Sequence, residues 1–576
     1  MLGTNELFRL DRVPFSARGA YACIYESQET GELNLTAAHS EGIGSGIPRG
    51  LTLTFMDGET ELPYTYSCSP TKLTVYAGKG TAEFIFQTGG VIRVRVTGIS
   101  AWFNYQPAAF EGCCMVDKEV LHMEGAFGKF DFASVLPGSM KNNSRWNFRN
   151  AASYPFHVAV VPVTEENVGE AAIYSFYSNN RPLKKYMGFD LAHANTAEDF
   201  RLFCTDLPEV CGKYSETALL AKYLIWMSEM GPDRGIRKNV FYYTKLQLIR
   251  AYLWHQPLIA LAFTKNAKTA WDYILNVFAF QDEDGSIPDS VNDANQYEWV
   301  SSRMPIAGFS VCWILDNLCT ESLNYLDYDG MYHALTRYAS WWMRERDLGR
   351  KGAPCYVTCR DCGYFDSSLF DSGLPARTPD LLAYMVLLCE ACSRLAKLTR
   401  RYNEAETWSG CADSMMDYLT KKLWNGETFM VENAVTGETV PSDSALAFTP
   451  IILGRRLPED IISKLASRLA DPAAFITCTG IGSERAGSSR YCLCSTARGR
   501  VTAPLQILLL SSLLASDRGA AAKAAAEKYL AAVASHGLCF AIDPTGKAQK
   551  DYGPFSPDFH FNPVTAAAFL FVADRI

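Results

Sequence analysis

Several things are missing from this sequence, and each absence removes a class of function. No apolar run approaches the roughly 18 residues that a membrane-crossing helix needs, so no membrane partner is expected. Charge of one sign is never blocked together: 54 basic residues stand against 62 acidic ones, for a net charge of −8. Nucleic-acid binders carry a clustered basic surface, so no nucleic-acid partner is expected either. The opening stretch MLGTNELFRLDRVPF is charged at once and has no apolar core, which does not read as a secretory signal. Nucleophile-elbow, Walker and dinucleotide glycine motifs are also absent, and no cofactor is expected. A cytoplasmic, globular protein is the expectation. A hydrophobic fraction of 48% over 576 residues supplies ample core and argues against a disordered or fibrous chain.

Cysteine is abundant, with eighteen residues, but scattered. The two close pairs, Cys359/Cys362 and Cys492/Cys494, have no histidine beside them. A four-cysteine zinc site would require both pairs to meet in space. Reduced, mostly buried thiols are the expectation, and no metal site.

Composition and periodicity change near residue 205. Before it, short β-branched and aromatic segments alternate around turn residues: YACIYES, GLTLTFM, KLTVYAG, AEFIFQT, VIRVRVTGI, FHVAVVPV and AAIYSFYS. That is the pattern of an all-β sandwich. After it, helical periodicity dominates, at Glu216–Met230, Tyr243–Phe263, Lys268–Phe280, Tyr332–Arg344, Asp380–Thr399, Glu404–Leu423, Pro458–Leu469, Pro504–Ala515, Ala520–Ser535 and Val564–Ala573. About a dozen helices in roughly 340 residues make one helical hairpin per ~55 to 60 residues. The predicted fold is a multidomain α and β chain, an N-terminal β-sandwich followed by an (α/α)6 toroid. Residues 1–205 form the sandwich, 206–235 a helical linker and 236–576 the barrel. An open solenoid fits less well, because the loops are unequal and some are long.

Long loops rich in Trp, Tyr, Asp and Arg point to function. Phe280–Val311 (FQDEDGSIPDSVNDANQYEWVSSRMPIAGFSV) offers carboxylates including Asp289 and Glu298, the pair Tyr297 and Trp299, and Arg303. Aromatic faces pack on the C–H face of a pyranose while carboxylates and arginine fork its hydroxyls. A solvated acidic loop is the plain alternative.

The order of this loop, the Pro-Ile-x-Gly-aromatic helix after it, and the downstream TPDLLAY (Thr378–Tyr384), PIILGRRLP (Pro450–Pro458), GIGSE (Gly480–Glu484), Arg498-Gly499 with Pro504, and FAIDPTG (Phe540–Gly546) resembles the bacterial branch of glycoside hydrolase family 63. That branch includes mannosylglycerate-hydrolase-like and trehalase-like glycosidases. The resemblance covers about residues 215–576. It implies a (α/α)6 barrel behind a β-sandwich and an inverting hydrolysis with one carboxyl as acid and another as base, about 6.5–9.5 Å apart.

Three expected carboxylates are displaced. The family's acid is the Asp of E-S-G-W-D-N-S, and here Phe365 fills that column with Asp366 one residue later. The family's base is the Glu of FAENFDALTG, where Ile542 stands here with Asp543 next to it. The family's sugar-binding Asp in WDHCFNALA is replaced by His255, within Trp254-His255-Gln256. A slip of one residue moves a side chain by only ~3–4 Å, so Asp366 and Asp543 are the expected acid and base. Tyr364 and Phe365 would desolvate the acid. Asp361, Asp371 and His255 are alternative catalytic residues. Trp254, Gln256, Asp289, Trp299, Arg303, Tyr364 and Arg498 are the expected substrate-binding set. Asp558 and His560 stand in reserve. The expected activity is cleavage of a small α-glucoside or related glycoside, the partner being a small carbohydrate. The alternative is a non-hydrolytic barrel, either a carbohydrate-binding pseudo-enzyme or a sugar lyase or isomerase. The sequence leaves the oligomeric state open.

Overall fold

The computed structural model describes residues 7–37, 50–87, 90–125, 128–176, 185–516, 518–547 and 561–576. The seven segments read as strands are all strands, arranged with others in two antiparallel sheets. A seven-stranded sheet runs in the order Ala22–Glu26, Leu33–Ala37, Leu51–Asp57, Ser100–Tyr105, Phe156–Val160, Met140–Asn142, with Thr60–Glu61 paired beside Leu51–Asp57. An eight-stranded sheet runs Gly112–Asp117, Val120–Gly125, Gly128–Ser134, Val168–Phe176, Val91–Thr97, Gly80–Gln87, Lys72–Ala77, Tyr64–Cys68. Burial alternates residue by residue along residues 51–55 of Leu51–Asp57 and along Lys72–Ala77, as strands with one buried face require. The apolar faces meet: Phe103 of one sheet lies 5.1 Å from Phe132 and 6.5 Å from Phe84 of the other, ring centre to ring centre.

The last strand of these two sheets ends at Phe176, and the helix Phe189–Cys204 already stands before residue 205. Its buried side chains are only Phe189, Ala192, Thr196 and Phe203, a stripe too sparse to stand out in a polar segment. Phe189 and Ala192 cover Ile85 on the outer face of the eight-stranded sheet.

Beyond it the chain is helical. Pro379–Leu398 and Pro563–Ala573 are buried nearly all round, whereas Tyr402–Tyr418 buries only Ala405, Ala412 and Met415. Such an all-apolar helix needs partners on every side. Pro563–Ala573 packs against Ser215–Ser228, the first helix after Phe189–Cys204, so the helical run closes on itself and is not an open stack. Among the described residues no helix is long and apolar enough to cross a membrane.

One predicted helix is wrong. Within Tyr243–Phe263 only Gln256–Ala260 is helical, and Ala251–Tyr252 pairs instead with Ser290–Val291. Pro257 is the reason. A proline is tolerated in the first turn but breaks a helix interior, so the helix starts at Gln256 and leaves residues 243–255 as a loop.

The sheets and helices are joined by buried polar bonds. Lys245 is buried and donates from Nζ to Ser16 Oγ at 3.1 Å, to the carbonyl of Ala17 at 2.9 Å and to that of Ala20. Burial lowers its pKa to about 7. Tyr223 Oη donates to the Pro14 carbonyl and accepts from the Ser16 N–H, both at 2.9 Å. All eighteen cysteines are free thiols, but only eight are buried, against the expectation of mostly buried ones; Cys492 and Cys494 are exposed.

Candidate active site

Four helices of the ring carry proline in their first turn, at Pro257, Pro379, Pro504 and Pro563. Proline at that position sacrifices only an N–H that the helix leaves unpaired anyway. The loops running into these helices, together with the loop running into Ala307–Asn317 that carries Asp289, Trp299 and Arg303, hold the candidate residues, and they meet. His255 lies 5.6 Å and Tyr243 lies 6.0 Å from Phe540, ring to ring. Tyr364 shares a 2.8 Å hydrogen bond with Thr502 Oγ1, and Thr502 pairs in a short ladder with Ala541. Arg303 Nη1 donates to the Arg360 carbonyl at 2.6 Å. Gly363 has φ +75°, and a Cβ there would sit 2.7 Å from Met304 Cε and 3.4 Å from the Trp254 indole. The left-handed backbone of this turn, which places the loop carrying Tyr364 and Asp366 against Trp254, is the conformation that favours glycine.

Within this cluster the predicted residues fall into two groups. The first is saturated by protein partners. Arg303 forks Asp289 through Nε to Oδ1 at 2.6 Å and Nη2 to Oδ2 at 2.9 Å, with both side chains largely buried. Gln256 spends its amide on the Phe241 N–H and carbonyl and on the Tyr252 carbonyl. Asp361 is wholly buried as the reciprocal cap of the turn Cys359–Cys362: Oδ2 accepts from Thr358 N and Oδ1 from Ser302 N. Burial raises its pKa, opposed by Arg346. Asp371 is held by Arg490 at 2.8 Å and Arg498 at 3.2 Å. Arg498 also donates from Nε to the Asp366 carbonyl at 2.7 Å.

In the second group Asp366 and His255 retain unspent polar atoms. Asp366 Oδ1 is buried without a hydrogen-bond partner among the described residues, as is His255 Nε2. His255 sits among the rings of Tyr243, Tyr252, Trp254 and Phe540, and burial drives its pKa down to about 3. The ring is therefore neutral near pH 7 and does not titrate there as a free imidazole would. Asp543 is buried and accepts at Oδ1 from Thr545 N at 2.8 Å and Thr545 Oγ1 at 2.7 Å. Trp254 and Tyr364 are buried, whereas Trp299 is exposed. Phe365, expected to shield the acid, is 57% exposed. Glu298 caps Val300 N from Oε1. Asp558 and His560 lie outside the described residues.

Residues 251–561 match the family described as the mannosylglycerate hydrolase MGH1-like glycoside hydrolase domain. The chain belongs to this glycoside hydrolase family. It is a glycosidase. No curated protein matches it in sequence. Among solved structures, a family 63 mannosylglycerate hydrolase from Thermus thermophilus in complex with glucose is 16% identical with a TM-score of 0.50, covering 62% of this chain and 99% of that one. A bacterial glucoamylase complexed with acarbose is 12% identical with a TM-score of 0.60, covering 98% of this chain and 94% of that one. At these identities the likeness is one of fold, and with the glucoamylase it spans sheets and helices together.

Two residues of this glycosidase escaped the sequence reading as site residues. Asp380, in the first turn of Pro379–Leu398, is fully buried, accepts from Tyr356 Oη at 3.0 Å and has its pKa raised to about 6 by burial. Glu484 accepts from Ser368 Oγ at 2.7 Å and from Ser488 Oγ at 2.8 Å, and burial raises its pKa. Ser368 is two residues from Asp366. Both acids lie in quoted motifs, TPDLLAY and GIGSE, but an acid in a first helical turn reads as an ordinary cap, and a lone glutamate in a turn reads as solvated.

Proposed function

We propose that this glycosidase hydrolyses a small α-glucoside or a related glycoside by inversion, at the mouth of an (α/α)6 toroid that follows an N-terminal β-sandwich. Asp366 is the general acid and Asp543 the general base. Asp366 gives its proton to the glycosidic oxygen, and Asp543 takes a proton from the water that attacks the anomeric carbon on the opposite face. The observation that carries this reading is the unspent Oδ1 of Asp366. Of the three aspartates in its loop, Asp361 is used as a cap and Asp371 is clamped by two arginines, which leaves Asp366 to serve a ligand. The Tyr364–Thr502–Ala541 connection ties the acid loop to the strand that leads into Asp543. Trp254 supplies an aromatic face, and Arg303, Asp289 and Glu484 are positioning residues that fix the loops. The glucose and acarbose complexes of the structural neighbours support a glucoside as substrate.

The test is an assay of the purified chain on aryl α- and β-glycosides and natural disaccharides, with products followed by NMR. Hydrolysis with inversion, lost in Asp366→Asn and in Asp543→Asn, is the expected result. Turnover surviving both changes would remove these two residues from the mechanism. Sugar binding without any hydrolysis would favour the non-hydrolytic barrel.

A further inference from the structure

The outer face of the seven-stranded sheet carries one side chain per strand in a continuous row. Tyr25 faces Asn34, Asn34 faces Thr52, Thr52 faces Asn104, and Asn104 faces His157, all in cross-strand register. Asn143 ends the row, accepting from the His157 N–H at 2.8 Å. With strands ~4.8 Å apart the row is roughly 24 Å long. It lies in an open groove of about 610 Å³ whose described walls include the Glu32 carboxylate and, among the described residues, no lysine or arginine.

The chemistry of the walls narrows the ligand. Amides and hydroxyls both donate and accept, which suits a chain of hydroxyls. With the Glu32 carboxylate in the wall and no lysine or arginine among its described residues, a phosphate, sulfate or uronate is disfavoured. His157 is stacked on Trp102 at 3.8 Å, ring centre to ring centre, and burial lowers its pKa, so the row carries no positive charge at neutral pH. Beyond the Asn143 end, four large aromatics stand out from one loop cluster. Trp146 pairs across a short hairpin with Ser153, Phe110 donates its N–H to the Ala151 carbonyl, Phe148 is in the hairpin loop, and Tyr154 directly precedes the wall residue Pro155. Phe110 is 83% and Phe148 80% exposed. Side chains of this kind are normally withdrawn from water, and their flat faces fit the C–H faces of sugar rings.

We propose that this groove and its aromatic rim form a second carbohydrate site, separate from the catalytic loops, which holds a neutral oligosaccharide along the sheet. Only the class of ligand leans on the glycosidase reading; the groove is argued from its own residues.

The test uses the full chain with malto-, isomalto-, cello- and mannoheptaose, by calorimetry and by hydroxyl-radical footprinting read residue by residue. At least one of the four sugars should protect Trp146, Phe148 and Tyr154. The double variant Trp146→Ala/Tyr154→Ala should bind that sugar about tenfold more weakly, with its thermal unfolding unchanged because both residues are exposed. No protection by any of the four, or a variant that binds like the parent, would overturn the proposal. Trp299 and Phe365 report the catalytic end in the same experiment. Protection there alone would sink the second site and leave the catalytic reading standing, and protection at the sheet alone would do the reverse.

Discussion

The two sides of the proposed catalytic cluster are built on opposite principles. Around Asp289, Arg303, Gln256 and Asp361, hydrogen bonds within the protein hold the side chains in place. Around Asp366 and His255, buried polar atoms have no partner among the described residues. A buried polar atom without a partner costs about 1–3 kcal/mol, so the second side is destabilising unless something arrives to complete it. On the proposed reading the saturated side is scaffold, and the unsaturated side is where a substrate contributes.

The comparison breaks most severely if the acid is wrong. Asp366→Asn keeps the shape and removes the proton, and kcat should fall about a thousandfold with circular dichroism and melting temperature unchanged. A drop in stability instead would move Asp366 to the scaffold side. Arg303→Met should do the reverse. Removing one partner of a buried pair leaves Asp289 uncompensated, at a cost of about 3 kcal/mol or more, read as a lower denaturation midpoint in guanidinium. Unchanged stability would show that the fork is not structural.

Asp380 sharpens the contrast through pH. Its folded pKa of about 6 lies above the ordinary 3.8, so the folded state holds the proton more tightly than the unfolded one. Stability therefore declines between about pH 4 and 6, and the penalty persists above 6. Asp380→Asn should be more stable than the parent at pH 7 by up to about 3 kcal/mol, and should lose that advantage below pH 4. A gain independent of pH would mean that another group is responsible. His255 works in the other direction. Its folded pKa of about 3 lies below the ordinary 6.5, so the unfolded chain takes up the proton first. Stability should fall by about 1.4 kcal/mol per pH unit as pH drops below 6.5. Urea melts of His255→Gln between pH 6.5 and 4 should lack that slope.

Much of this architecture was legible because local rules and tertiary needs agreed. The strands alternate because one face of each sheet is core, and the prolines at 257, 379, 504 and 563 mark helix starts wherever they occur. The failure at Tyr243–Phe263 came from giving periodicity priority over Pro257. In the site, the cap role of Asp361 was readable, since Thr358-Cys359-Arg360-Asp361 has the spacing of a capping box. The clamp on Asp371 was not, because Arg490 and Arg498 approach from a segment more than a hundred residues away. Nor could spacing show that Phe365 points outward, because a loop with glycine at 363 has no fixed side-chain period.

Lys245 has a consequence for engineering. The acceptors of its ammonium group are the Ser16 hydroxyl and two carbonyls of the segment before the first strand, and it lies only ten residues ahead of His255. The sheet region is therefore not an interchangeable module. A chimera that joins these helices to a foreign sandwich would leave an ammonium group in the interior without acceptors, in the very loop that runs into the catalytic cluster. Any graft must carry Pro14–Ala20 with it, so the useful seam lies inside the sheet region and not at its border with the helices.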